Sequence, residues 1–142
     1  MRIPAIASAV VGAFLTLSCG SVQPIAIHDG DQCFRCRRPI LEKSLAAELM
    51  DGSLGSKFRT AGCMAKYLAD HPGETGTTFV TDYPTGKLVR SDQALFVPIL
   101  LNPDTGERDY RAFLQKADAD AAAAELHAAP VDWPTVLGKA RS

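Results

Sequence analysis

Cys33-Phe34-Arg35-Cys36 places two thiols three positions apart, followed closely by Pro39. Proline blocks helix through this stretch, so the pair sits in a compact loop. Two sulfurs at that spacing can face one soft metal ion or oxidise to one disulfide. A third thiol, Cys63, lies beside Met64 near the start of a segment with helical periodicity. Thiolate and thioether donors select Cu(I) over harder cations. Cys33, Cys36, Cys63 and Met64 are therefore the candidate ligands, and Cu(I) the candidate ion. Adjacent helix residues diverge by about 100°, which sets Cys63 and Met64 against facing one ion unless the helix begins between them. The competing readings are a structural Cys33–Cys36 disulfide, a buried Cys63 acting as a small hydrophobe, and Met64 as core. The helix start and nearby arginines predict a lowered pKa for Cys63. His28 is a possible further donor or a solvated linker residue.

Other chemistries fit less well. Haem attachment needs His directly after the second cysteine, where Arg37 stands. A four-ligand zinc site needs a second ligand pair, and the chain offers only scattered His28, His71 and His127. A thioredoxin-like site would place the pair at a helix start after a strand. G-x-S-x-G, P-loop and H-E-x-x-H patterns are missing from the sequence, so no hydrolytic or phosphoryl chemistry is expected and the reading is non-enzymatic. Fifteen basic against sixteen acidic residues give a formal charge of −1, which supplies no electrostatic reason to expect nucleic acid as a partner.

The elements that must position the thiols come from pattern. Lys43–Met50, Asp51-Gly52 and Lys57–Arg59 read as strand, turn and strand, although Leu and Ala in the first favour helix. Thr60 can cap a helix running to Ala69, which His71-Pro72-Gly73 stops. Strands are expected at Thr77–Tyr83, Leu88–Val89, Ala94–Leu101 and Arg108–Leu114, with Pro98 implying an edge or a bulge. A helix over Lys116–Ala128 and a short closing helix over Trp133–Leu137 follow. The order predicts an α+β domain of two β-β-α units, with antiparallel sheets and helices on one face.

The first residues carry a different signal. After Met1-Arg2, Ile3–Leu17 runs without a charge, shorter than the roughly 20 residues of a bilayer span and suited to a signal-peptide core. Ser18-Cys19-Gly20 ends it like a lipobox. The expected organisation is a lipoprotein signal peptide over 1–18, a tether over 19–31 lipidated at Cys19, and a domain over 32–141 with halves 32–73 and 74–141. Such a chain is exported and held on the periplasmic face of a bacterial membrane. Three thiols remain after Cys19, so one is left over even if two pair.

An ordered set of pieces resembles the NosL family, the nitrous oxide reductase accessory lipoproteins. The pieces are Asp31-Gln32-Cys33-Phe34-Arg35-Cys36, Ala46-Ala47-Glu48-Leu49 with Asp51-Gly52, and Lys57-Phe58 leading into Gly62-Cys63-Met64-Ala65-Lys66-Tyr67-Leu68. Phe79-Val80-Thr81-Asp82-Tyr83-Pro84-Thr85-Gly86, Ala94-Leu95-Phe96-Val97, the Ala-rich segment and the closing Trp133 segment follow in order. The resemblance implies a membrane-anchored periplasmic Cu(I) carrier. Its partners would be a client cuproenzyme such as nitrous oxide reductase or that enzyme's membrane transporter complex, and its fold would be like that of organomercurial lyase. The family often reads C-x-x-C-G-M, where this chain has Arg37-Arg38 after Cys36, and Ile99–Pro103 replaces a later Met-Gly. The alternative functions are a thiol-disulfide protein using Cys33 and Cys36, or a structural envelope lipoprotein.

Overall fold

A computed structural model describes residues 20–142; the leader, the charge-free run and Cys19 lie outside the described residues. Among the described residues the architecture is α+β, with antiparallel sheets and three α-helices. Strands β1 (Ala47–Asp51) and β2 (Leu54–Phe58) form a hairpin, with Ala47 opposite Phe58 and Asp51 opposite Leu54. Gly52 turns the chain at φ +59°, a conformation that costs glycine little. β1 also pairs with β3 (Thr77–Thr81), and β3 pairs with β4 (Leu88–Arg90), giving a sheet of order β2-β1-β3-β4. The central place of β1 explains why helix-favouring Ala, Glu and Leu are extended there: ladder partners on both sides outweigh local propensity. The preceding Lys43–Leu45 is a single 3-10 turn.

β5 (Leu95–Asn102) and β6 (Glu107–Phe113) make a separate two-stranded sheet. Pro98 stands opposite Tyr110 in regular register, so of the two expected alternatives the edge position is found; a register shift falls farther on, between Leu100 and Asn102. Helix α1 (Ala61–Asp70) packs against β1 and β6, and α2 (Lys116–Glu125) against β5 and β6. The units β1-β2-α1 and β5-β6-α2 are thus both found. The sheet, however, draws β3 and β4 from beyond residue 73, because the register of β3 on β1 joins them. α3 (Trp133–Arg141) runs a full turn past the expected Leu137. Asp132 caps its start through Thr135 N–H at 3.0 Å, and Lys139 and Arg141 favour its C-terminus.

The core lies where α1 and α3 meet the two sheets. Phe58, Met64, Val80, Phe96, Trp133 and Val136 are buried in one cluster, with Phe96 and Trp133 rings 5.4 Å apart. A smaller cluster joins Val97 and Phe113 to Ala119 and Ala123, so the alanine run serves close packing of helix on strand. Residues 24–31, expected as part of a tether, dock against the first sheet. Ile25 N–H donates to the Glu48 carboxylate at 2.8 Å, and Lys57 pairs with Asp31 at 2.6 Å. Glu48 is fully buried, and one of its oxygens has no partner among the described residues.

Candidate metal centre

The loop carrying the first two thiols is closed by its own backbone. Cys33 N–H donates to Arg38 C=O at 2.9 Å, and Arg37 N–H donates to Cys33 C=O at 2.9 Å. Gln32 and Pro39 bridge the two ends. Arg37 takes φ +61°, in the left-handed region uncommon for a residue with Cβ. Phe34 N–H donates to Lys57 C=O at 2.7 Å, which ties the loop to β2. The Phe34 ring stands edge-on to Phe58 and Tyr67, with centroids 6.1 and 5.4 Å away. These contacts fix the loop against β2 and the second half of α1.

Cys63 reaches the loop because the helix start is pinned. The Thr60 hydroxyl accepts from Cys63 N–H at 3.1 Å and donates to Asp109 Oδ2 at 2.6 Å. Asp109 Oδ1, on β6, accepts from Gly62 N–H at 2.9 Å and from Tyr110 N–H at 2.9 Å. A Cβ on Gly62 would come within 2.8 Å of the Asp109 carboxylate, so this close approach depends on glycine. Burial pushes the Asp109 carboxyl up, and the three donors oppose that shift. Asp109 is the positioning residue that sequence reasoning missed; a lone acid in a strand has no periodic signature. The Thr60 cap was legible.

The result is a three-sulfur cluster. The Sγ atoms of Cys33, Cys36 and Cys63 all lie within 4.8 Å of one another, and Cys33 and Cys63 are 3.3 Å apart. All three are free thiols. Cys33 and Cys63 are buried and Cys36 is half-buried, so the cluster is reached from the Cys36 side. The cluster is close enough to hold a metal ion. Cys33 and Cys63 act as a pair. The Cys63 thiol hydrogen bond holds Cys33 well below the usual thiol range against the cost of burial, helped by the N–H groups of Cys36 and Arg59. The same hydrogen bond, then burial, then the neighbouring sulfur charge push Cys63 up. This reverses the sequence expectation that Cys63 is the favoured thiolate. Its helix-start N–H is already spent on Thr60, whereas Cys33 collects donors.

Met64 is fully buried in the core beside Cys63 in sequence. His28 is exposed and its backbone N–H donates to Asp31; it lies outside the sulfur cluster. A cleft of about 200 Å³ opens beside Cys36 and Cys63, bordered by Arg35, Arg38, Arg59 and Lys66 and by Glu107 and Asp109. No protein-family model and no curated protein matches the chain.

Proposed function

We propose that the protein is a periplasmic, membrane-anchored Cu(I) metallochaperone rather than an enzyme, in which Cys33, Cys36 and Cys63 hold the ion as cargo. The single observation that carries this reading is the convergence of three free sulfurs within 4.8 Å. Three sulfur donors satisfy a soft monovalent ion, whereas structural zinc is almost always four-coordinate. Residues 33 and 63 are thirty positions apart, so their meeting requires the whole β1-β2-α1 unit. Low coordination and one half-exposed sulfur suit handover by ligand exchange, with Cys36 released or engaged first. Lipidation at Cys19 would hold the domain at the membrane. The clients would be a cuproenzyme such as nitrous oxide reductase or its membrane transporter complex, as the NosL resemblance implies. The left-handed backbone at Arg37 supports that resemblance, because the family pattern often has glycine there. Met64, inside the core, would join the ion only if the helix start moved, since adjacent helix residues diverge by about 100°.

Titration of the reduced protein with Cu(I) against a chromogenic chelator tests the reading. One ion is expected per chain, with sulfur as the nearest scatterer in X-ray absorption, and tight binding lost in Cys33→Ser, Cys36→Ser and Cys63→Ser. No uptake in competition with the chelator would refute it. A second reading, thiol-disulfide exchange, is favoured by the 3.3 Å contact of Cys33 and Cys63. It differs from the sequence expectation in making Cys63, not Cys36, the partner of Cys33. A defined dithiol potential without copper affinity would select it.

A further inference from the structure

The cleft beside the thiols has an unbalanced lining. Arg59 is paired with Glu107, and Asp109 is occupied by Thr60 and Gly62. Arg35 reaches Asp70 at 3.5 Å on the exposed rim. Among the described residues, Arg38 and Lys66 line the same cleft with no ion-pair partner. Four cations therefore stand against three carboxylates, Asp70 included, and Arg38 and Lys66 are the two left without an ion pair at the mouth of a soft-metal site. At about 200 Å³, the cleft is smaller than the roughly 300–1,000 Å³ of pockets for drug-sized ligands. That size suits a small molecule and is too short for a folded partner segment.

Cu(I) reaches such a site bound to a carrier, and the lining selects the carrier. Resting on the copper reading, we propose that the cleft receives Cu(I) as a complex with a small anionic thiol, a mercaptocarboxylate. Arg38 and Lys66 hold its carboxylate while its sulfur still bears the metal. The Cys36 sulfur then bonds to copper and the copper–carrier sulfur bond breaks. The carrier departs as a thiolate and takes up the proton that Cys36 gives up, with no change in oxidation state at copper or sulfur. A second carrier thiolate on the same ion leaves likewise with the proton of Cys63, and Cys33, held as a thiolate, adds as the third sulfur with no further proton to place. Three thiolates around a monovalent ion carry two negative charges, so negative charge builds up beside Arg38 and Lys66 as loading proceeds. The empty cleft thus attracts the anion and the loaded cleft releases it.

Anaerobic stopped-flow transfer to the reduced full chain tests this, with Cu(I) presented on 3-mercaptopropionate (anionic), 2-mercaptoethanol (neutral) or cysteamine (cationic). Transfer from the anionic carrier is expected to be about tenfold faster than from the neutral one, with the advantage shrinking as salt is raised. Arg38→Gln with Lys66→Gln should bring the ratio near one, and Arg38→Lys with Lys66→Arg should restore it. Equal rates from the three carriers, or a ratio that survives the glutamine double variant, would overturn the inference while leaving copper binding intact. No uptake from any carrier, together with no binding against the chelator, would overturn the copper reading and this inference with it.

Discussion

Valine at position 60 preserves the branched shape of threonine and deletes one hydroxyl, and that hydroxyl joins the helix bearing Cys63 to the strand bearing Asp109. Two losses follow from the geometry. The Cys63 N–H loses its acceptor at 3.1 Å, an N-cap loss of roughly 0.5–2 kcal/mol. Asp109 Oδ2 loses a donor at 2.6 Å inside a site where the residue is 6% exposed, a cost of roughly 1–3 kcal/mol. Because the groups form one network the terms do not simply add, and Thr60→Val should destabilise the metal-free reduced protein by about 2–4 kcal/mol. That corresponds to a fall of roughly 8–16 °C in Tm for a domain of this size. Thr60→Ser keeps both hydrogen bonds and loses one buried methyl, so about 1 kcal/mol is expected. Urea denaturation of the three proteins, read by circular dichroism, measures the difference. If Thr60→Val stays within about 0.5 kcal/mol of the native chain, or serine is as harmful as valine, the hydroxyl does not hold the helix start as argued.

The thiol pair predicts a stability maximum in pH for the reduced, metal-free protein. Cys33 is depressed below the ordinary thiol value of 9.0, so its contribution is complete above that value and is lost as pH falls toward its folded pKa; Cys63 is raised, so stability declines again once the unfolded chain ionises above 9.0. Urea melts across pH should rise and then fall around 9.0, and Cys63→Ser should remove the decline on the alkaline side. Burial raises the Glu48 carboxyl against the Ile25 N–H that lowers it, so the acid costs stability as pH climbs through its folded pKa. Glu48→Gln retains an acceptor for Ile25 and should raise the unfolding midpoint at neutral pH; a lower midpoint there would contradict the burial argument.

Much of the frame was legible because it depends on local chemistry. Thr60 as a cap, Pro72 after a helix, Gly52 in a turn and Pro98 at an edge each act within a few residues of themselves. The spacing of Cys33 and Cys36 likewise announced a shared loop. β1 was ambiguous because its residues favour helix, and only pairing with β2 and β3 settles it. The docking of Ile25 on Glu48 and the placement of β3 beside β1 carry no sequence period at all.

By itself the sequence determined which atoms were available: three thiols beyond Cys19 and the elements bearing them. Tertiary structure decided that Cys63 meets Cys33 across thirty positions, that Asp109 pins the helix start, and that the proton balance favours Cys33 as thiolate. The physical reason is range. Capping and turn formation act through neighbouring backbone, whereas ligand convergence and pKa depend on groups that become neighbours only when the helix is laid against both sheets.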